Sequence, residues 1–414
     1  MPTRLRLPAA LLVLTGCGSS TGPGGDAPPI ITELPRSLSP TEARIVEGAN
    51  AFAFDLLRHA TGTLPPDSNA FLSPLSASMA LGMTLNGAHG RTYSDMQAAM
   101  RLEGMAEAAI NQGYRDLLGL LGGLDARTEL RIANSIWGHS KLPIAPAFTE
   151  AGRAFFDAEV GTLDFGSPEA LTAINGWVNG KTKGRIPRLL DQISADEVLF
   201  LINAIYFKGR WRNAFDPKDT RDGRFHGADG RNRAARLMFQ RGGLRYQEAD
   251  DHQAVDLLYG NGAFAMTVLL PRPGRTPAEL LAGLDPASWG ALAERFTEAE
   301  VALTLPRFRL EYGRKLKDDL IAMGMGIAFS SEADFSRIAD VRPNRLYLTR
   351  VDQKTFVEVN EEGTEAAAAT AVGVGVTSAP QVVEMRVDRP FVFAIRERLS
   401  GAVLFLGVMN AIGD

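Results

Sequence analysis

The chain has 414 residues, of which 45% are hydrophobic and 22% are charged, and its formal net charge is −4. These values are typical of a globular protein with a large core. The sequence contains no basic stripe, which argues against nucleic acid as a partner.

Residues 1–17 have the pattern of an export signal. Arg4 and Arg6 precede an apolar run, residues 7–14, that is far shorter than the roughly 20 residues of a membrane-spanning helix. The run ends in Leu14-Thr15-Gly16-Cys17, which resembles the lipobox of bacterial lipoproteins, in which the cysteine is acylated. A plain secretory signal is the alternative. Because Cys17 is the only cysteine and several acyl chains hold a protein durably, we expect a lipid-anchored protein of the bacterial cell envelope.

Residues 18–38 are rich in Gly, Pro and Ser, and this composition predicts a disordered tether. Gly18 stands where an aspartate would indicate retention at the inner membrane, so the outer membrane is favoured. The pattern becomes globular at Ser39, and the predicted folded domain covers residues 39–414 without a second linker.

The predicted elements divide the domain into a helical first half and a strand-rich second half. Helices are predicted from Pro40 to Leu57, from Pro74 to about Gly87 and from Ala170 to Thr182. Strands are predicted over 130–137, 198–207, 263–270, 301–305, 308–312, 355–359, 382–387 and 403–408, of which 198–207 is apolar enough to be buried on both faces. This order indicates an α+β fold.

Motifs of enzyme chemistry are missing from the sequence. It contains no Gly-x-Ser-x-Gly elbow, His-Glu-x-x-His pair, Walker A loop or Gly-x-Gly-x-x-Gly turn, and its five histidines lack the spacing of metal ligands. We therefore expect a protein that is not an enzyme and needs no cofactor or metal. A hydrolase whose site is assembled in space is a minor alternative.

The segment from Glu361 to Pro380 is the most informative part of the chain. Its four consecutive alanines, residues 366–369, provide no bulky side chain to hold a fixed loop. With a period of two, one side carries Thr364, Ala366, Ala368, Thr370, Val372, Val374 and Val376, as on one face of a strand. The segment is thus patterned as an exposed loop that can enter a sheet. An Ala-rich helix and a flexible linker are the alternatives.

Several separated motifs resemble the serpin family of serine protease inhibitors. They span residues 40–412 in register and comprise Ser73-Pro74-Leu75-Ser76, the stretch Asn203 to Trp211, Ala333-Asp334-Phe335-Ser336, the segment Glu361 to Ala369 and the stretch Met385 to Ile395. The resemblance implies three β-sheets, about nine helices and an exposed reactive-centre loop. It also implies a monomer whose partner is a serine protease. In that mechanism the protease is acylated by the loop, and the loop then enters the main sheet.

The resemblance also assigns roles to single residues. The hinge, where insertion starts, comprises Glu361, Gly363, Thr364, Glu365, Ala366, Ala367, Ala368 and Ala369. The shutter, beneath the sheet opening, comprises Ser73, Ser76, Asn203 and Gln353, and the breach, at its upper end, comprises Trp211 and Arg307. Glu361 is expected to pair with Arg307, the alternative being two solvated surface charges. Many serpins carry a histidine at the position of Gln353, so the shutter departs from the family pattern here.

The resemblance, carried over by spacing from Gly363, implies a reactive bond between Thr377 and Ser378, with Val376–Thr377 as the alternative by one residue. Either choice presents a small β-branched side chain to the protease, and no basic or aromatic residue lies near the bond. The expected target is therefore elastase-like. The alternative function is a non-inhibitory serpin-fold binding or structural protein, although such members usually carry bulky or charged hinge residues.

Overall fold

The computed structural model describes residues 29–194, 197–364 and 382–413. Nine α-helices lie in these ranges, and six of them precede residue 182. In chain order they are α1 (Pro40–Gly62), α2 (Pro74–Leu85), α3 (Gly90–Ala99), α4 (Glu107–Gly122), α5 (Pro146–Phe156), α6 (Pro168–Lys181), α7 (Pro277–Ala282), α8 (Pro286–Glu294) and α9 (Lys317–Leu320). Three further helical turns are Pro217–Asp219, Ile321–Met325 and Gly326–Phe329.

Most strands lie in the second half of the chain, as predicted. The strands are β1 (Ala70–Leu72), β2 (Thr128–His139), β3 (Ala158–Leu163), β4 (Leu199–Arg210), β5 (Arg221–His226), β6 (Asn232–Glu248), β7 (His252–Leu258), β8 (Phe264–Pro271), β9 (Thr297–Pro306), β10 (Phe308–Lys315), β11 (Asp352–Asn360), β12 (Gly363–Thr364), β13 (Val383–Arg386), β14 (Phe391–Glu397) and β15 (Val403–Met409). Each predicted strand overlaps one of them, and the α+β fold class is confirmed.

The strands form two hydrogen-bonded networks. The smaller sheet has the order β10-β11-β12-β4-β2-β3, and the larger has the order β1-β15-β14-β8-β7-β6-β9-β13 with β5 on the side of β6. The resemblance implies three sheets. Two networks are present because β6 is shared, pairing with β9 over residues 237–246 and with β7 over residues 245–248. Dividing the larger network at β6 gives the expected three.

Local sequence explains where the first helix begins. The Ser39 hydroxyl accepts from the Glu42 amide at 3.2 Å, and the Glu42 carboxylate accepts from the Ser39 amide at 2.8 Å. This reciprocal capping satisfies two amides that the first turn leaves without helical partners. Pro40, whose fixed φ suits a first helical position, follows directly.

β4 is covered on both faces, as its apolar sequence predicts. Ile205 and Phe207 belong to the main core, which faces the larger sheet. Phe200, Ile202 and Ala204 belong to a second cluster, formed with residues of α6 on the outer face. Because side chains alternate along a strand, the odd-numbered positions of β4 face inward and the even-numbered positions face α6.

The predicted tether, residues 18–38, extends too far, since residues 29–38 lie against the domain. The Ile31 amide donates to the Asn261 carbonyl at 3.0 Å, and Leu34 and Leu38 pack against the main core. Arg36 donates to the buried Glu42 carboxylate at 2.7 Å. A composition rich in Gly and Pro does not exclude the few apolar side chains and the arginine that dock this segment.

Candidate functional site

The predicted hinge begins a strand inside the smaller sheet. Gly363 pairs with Arg210 of β4 and with Asn360 of β11, and Thr364 pairs with Gly209 and Val359 in the same way. In the part of the chain that the structure describes, no ladder joins β4 directly to β11. Within the described residues, β12 thus occupies two positions at the start of the space between β4 and β11.

Gly363 allows this close approach because it has no side chain. Its φ is 152°, and a Cβ atom there would lie 2.1 Å from the Gly209 carbonyl oxygen and 2.8 Å from the Arg210 Cα. Both atoms belong to the backbone of β4, so neither can move aside as a flexible side chain would. Glycine is therefore required where the chain turns into the sheet.

Thr364 is joined to the core by its hydroxyl, which lies 2.6 Å from the hydroxyl of Tyr259. Tyr259 is itself buried and stacks on Trp211, with ring centroids 4.5 Å apart and planes 16° apart. Burial raises the pKa of Tyr259, and the hydrogen bond with Thr364 offsets only part of that rise. The phenol therefore stays neutral, and its hydroxyl anchors the inward-facing side chain of Thr364.

Trp211, the predicted breach residue, holds the turn that precedes the hinge strand. Its backbone amide donates to the Glu362 carbonyl at 2.8 Å, and its indole Nε1 donates to the Asn360 carbonyl at 2.9 Å. Phe215 adds a third bond, from its amide to the Glu361 carbonyl at 2.8 Å. The carbonyls of this turn are thus satisfied by residues that follow β4.

Glu361 and Arg307 form the expected pair. Arg307 Nε and Nη2 lie 2.6 Å and 2.5 Å from Glu361 Oε1, and the Thr220 hydroxyl donates to the same oxygen. The Glu361 side chain is 4% exposed and that of Arg307 is 41% exposed. Burial opposes ionisation of Glu361, but the bonds from Arg307 and Thr220 outweigh it, so the pKa of the carboxyl is below its usual value. The hinge acid is therefore an anion at neutral pH.

Gln353 contacts Ser73 through both ends of its amide. Gln353 Oε1 accepts from the Ser73 amide at 3.0 Å, and Gln353 Nε2 donates to the Ser73 carbonyl at 2.8 Å. The Ser73 hydroxyl donates to the Leu404 carbonyl of β15 at 2.8 Å. Gln353 thereby connects β11 to the start of α2, and Ser73 connects the start of α2 to the larger sheet. The contacts with the Ser73 backbone need only an uncharged amide.

The other shutter residues form a separate chain of hydrogen bonds. The Ser76 hydroxyl donates to Asn203 of β4, and Asn203 Nδ2 donates to Asn134 Oδ1 of β2 at 2.7 Å. Asn134 in turn donates to the Phe156 carbonyl at 2.6 Å. The two sets of hydrogen bonds are linked through the start of α2, because Ser73 immediately precedes this helix and Ser76 lies in its first turn.

An apolar cavity of about 320 Å³ continues the line of β12 toward the far end of the sheet. One wall is the start of β4, residues 198–202, and the other is the segment 341–352 that leads into β11. α2 closes the cavity from the core side with Ala80, Leu81 and Thr84. The cavity therefore lies between the same two strands as the hinge, on the far side of the shutter.

Several predicted site residues lie outside the described residues: Cys17, Glu365, Ala366, Ala367, Ala368, Ala369, Val376, Thr377 and Ser378. Conversely, sequence reasoning missed Tyr259, Thr220 and Asn134. No local pattern marks these three, because each acts through a contact with a strand distant in sequence.

The described ranges contain no group of three or more His, Cys, Asp or Glu side chains that could hold a metal ion. Within the same ranges, no helix combines the length and the apolar character needed to cross a membrane.

Comparison with known proteins identifies the family. A family model described as "Serpin (serine protease inhibitor)" matches residues 47–411. The leukocyte elastase inhibitor of Bos taurus is 33% identical over 372 residues, which cover 87% of this chain and 97% of the relative. The native-state structure of tengpin, a thermophilic serpin, aligns with a TM-score of 0.83 at 25% identity, covering 93% of this chain and 97% of tengpin. Human thyroxine-binding globulin in complex with thyroxine aligns with a TM-score of 0.82 at 26% identity, covering 90% of this chain and 100% of the globulin. The chain belongs to the serpin family.

Proposed function

We propose that this protein inhibits serine proteases as a suicide substrate, through insertion of its own loop into the smaller sheet. The observation that carries the proposal is the two-residue strand β12, which enters between β4 and β11 and is followed in sequence by an insertable segment. The protease serine attacks the carbonyl carbon of Thr377, the bond to the Ser378 nitrogen breaks, and an ester to the enzyme remains. The freed upstream part of the loop then extends β12.

The described pairing predicts the register of that extension. Each further residue of the loop moves one position back along both neighbouring strands. Thr370 would then meet Asn203 of β4 and Gln353 of β11, the polar shutter residues. Because Thr364 faces inward, Thr370 faces inward as well. Its hydroxyl can bond to either amide, which supports the match between this loop and this sheet.

The same register carries the valines into the apolar cavity. Val372 would meet Leu201, and Val374 would meet Leu199, both on the inward face and both lining the cavity. Burial of a valine stabilises a fold by about 1.5–3 kcal/mol, and each new ladder hydrogen bond adds about 1 kcal/mol. The free energy gained on insertion is available to displace the attached protease and distort its active site.

The loop sequence favours an elastase-like target. The residue on the acyl side of the bond is Thr377, or Val376 in the alternative register, and both are small and β-branched. A shallow primary pocket accepts such side chains, whereas a deep pocket with a buried carboxylate selects arginine and lysine. The similarity to a leukocyte elastase inhibitor is consistent with this choice.

The N-terminal motif supports a location at the cell envelope. Acylation of Cys17 would anchor the domain in a bacterial membrane, the outer membrane being favoured by Gly18. The inhibitor would then protect the envelope from proteases.

Complex formation tests the proposed function. The protein is incubated with elastase and, separately, with trypsin, and the products are separated in SDS; an SDS-stable complex with elastase is expected. Thr370→Lys introduces a charge on the inward face, so this variant should be cleaved without complex formation, whereas Thr370→Ser retains the hydroxyl and should behave as wild type. A complex formed only with trypsin would refute the elastase-like assignment.

A non-inhibitory serpin-fold binding protein is the second candidate, since thyroxine-binding globulin shares this fold and binds a small molecule. Thermal denaturation before and after nicking of the loop separates the two. Insertion predicts a large rise in melting temperature, and a non-inhibitory member predicts no change.

A further inference from the structure

We propose that the lipid anchor holds this domain with its loop-bearing end toward the membrane, so that its partner is a protease at the membrane surface. The proposal rests on the proposed lipid-anchored inhibitor. It follows from where the N-terminal segment meets the domain, from how firmly that segment is docked and from how little chain separates it from Cys17.

The N-terminal segment meets the domain at the turn between β7 and β8. The Ile31 amide donates to the Asn261 carbonyl at 3.0 Å. Arg398 holds both sides of this contact, because its Nε donates to the Gly262 carbonyl at 2.8 Å and its Nη2 donates to the Ile31 carbonyl. Ile30 also lines a small cavity of about 50 Å³ together with Gly243 of β6.

This position is close to the upstream end of the loop. Asn261 is two residues beyond Tyr259, and the Tyr259 hydroxyl contacts Thr364, the last described residue before the loop. The carbonyl of Arg210, at the upper end of β4, accepts from the amide of Gly260 at 3.0 Å. The turn that holds Ile31 therefore lies beside Trp211, one of the two predicted breach residues, whose ring stacks on Tyr259.

The position is also close to the downstream end of the loop. Gly243 adjoins Gly242, which pairs with Val301 of β9, and Val301 pairs with Val383 of β13. Two strand spacings, about 10 Å, thus separate β6 from the first strand after the loop. Both ends of the loop and the exit of the N-terminal chain lie at one end of the molecule.

The docked segment is held at several points. Leu34 and Leu38 pack against the main core. Arg36 binds both carboxylate oxygens of Glu42, at 2.7 Å and 2.6 Å, and Glu42 is 1% exposed. The chain that leaves at Ile30 therefore has its position set by the domain.

Only the short stretch from Gly18 to Pro28 separates the docked segment from Cys17. Fully extended, this stretch reaches about 40 Å at most. A protease domain of about 230 residues has a radius of gyration of about 17 Å, so its diameter is similar to that reach. A protease bound at the loop would therefore be held close to the bilayer, and one already at the membrane surface is the partner that this geometry favours.

Energy transfer to the membrane tests the orientation. Cys17 is the only cysteine and is consumed by lipidation, so one introduced cysteine can be labelled uniquely. The lipidated full chain is reconstituted in vesicles with acceptor-labelled lipid, and a donor is attached in Val382→Cys, beside the loop, or in Asn344→Cys, which lines the cavity beyond the shutter. The two donor positions lie toward opposite ends of β4, which are about 36 Å apart. Energy transfer from position 382 should therefore be roughly twofold higher than transfer from position 344. Equal transfer, or higher transfer from position 344, would overturn the proposal.

A second variant tests the role of the docked segment. Leu34→Ser weakens docking and lengthens the free tether, so the difference between the two donor positions should shrink; an unchanged difference would count against the proposal. Mass spectrometry of the N-terminal peptide reports whether Cys17 is lipidated, and an unmodified Cys17 would also overturn the proposal. The SDS-stable complex with elastase, measured with detergent-solubilised protein, reports the inhibitory function independently of orientation.

Discussion

The hydroxyl oxygens of Tyr259 and Thr364 lie 2.6 Å apart inside the protein, and they join the hinge to a residue stacked on Trp211. Neither hydroxyl has access to water, so each depends on the other for a partner. The upstream end of the loop is thereby held by a side chain as well as by its backbone ladder.

A double-mutant cycle measures this contact. Tyr259→Phe and Thr364→Val should each lower stability by about 1–2 kcal/mol, because each leaves a buried hydroxyl unpaired. The double variant should lose less than the sum, with a coupling of about 1 kcal/mol. Urea unfolding midpoints provide the measurement, and Tyr347→Phe, at a ring that is 44% exposed, is the control expected to change nothing. Strict additivity would show that the two hydroxyls do not interact.

Gly363→Ala should expel the start of the hinge strand. The added Cβ would lie 2.1 Å from the Gly209 carbonyl oxygen, so the pairing of β12 with β4 cannot persist. Hydrogen exchange at the Gly363 and Thr364 amides should accelerate by about tenfold or more, which corresponds to a loss of about 1.4 kcal/mol in local stability. Gly290→Ala is the matched control, since α8 leaves open space there. Unaltered protection at the hinge would contradict the described pairing.

The Glu361–Arg307 pair should stabilise the fold in a pH-dependent way. The pKa of Glu361 is below its ordinary value of 4.5, so its contribution is complete above about pH 4.5 and is lost as the pH falls through the lowered pKa. The stability difference between wild type and Glu361→Gln, measured from pH 7 to pH 2, should therefore shrink at the acid end. A difference that is constant with pH would argue against an ionised Glu361.

Arg307→Met serves as the companion variant for this pair. It leaves a buried carboxylate without its cation and should cost about 3 kcal/mol at pH 7, more than Glu361→Gln, which leaves a half-exposed arginine.

Gln353 should tolerate only side chains that both accept and donate. Gln353→Leu removes both partners of the Ser73 backbone and should cost about 2 kcal/mol. In Gln353→Glu the carboxylate accepts from the Ser73 amide but cannot donate to its carbonyl until it is protonated. In guanidinium unfolding, the stability of Gln353→Glu should therefore approach that of wild type as the pH is lowered. Identical losses for both variants at every pH would exclude the two-point contact.

Local sequence predicted the elements whose signals are short-range. Helix α1 begins at Pro40, as predicted, and the apolar run of β4 marks a strand buried on both faces. The hinge pair Glu361–Arg307 came from the resemblance to serpins, because two residues on separate strands, far apart in the sequence, have no local signature.

Other features depended on three-dimensional packing. The 17 residues of β6 are rich in arginine and contain two adjacent glycines, a composition that does not indicate a strand. The strand forms because hydrogen bonds to the neighbouring strands on both sides hold its backbone. The docking of residues 29–38 was missed because it depends on Arg398 and Asn261, which belong to the second half of the chain. The roles of Tyr259 and Thr220 were missed for the same reason, because each contacts the hinge from a distant part of the sequence.

The position of β14 and β15 determines the fate of the chain after proteolysis. Both strands follow the proposed reactive bond, every residue of each is buried, and β14 lies between β8 and β15. Scission at the loop therefore breaks one covalent link without separating the pieces. The short carboxy-terminal fragment would stay as an internal part of the particle, and the cleaved protein would persist as a noncovalent two-chain assembly that comes apart only when its interior is denatured.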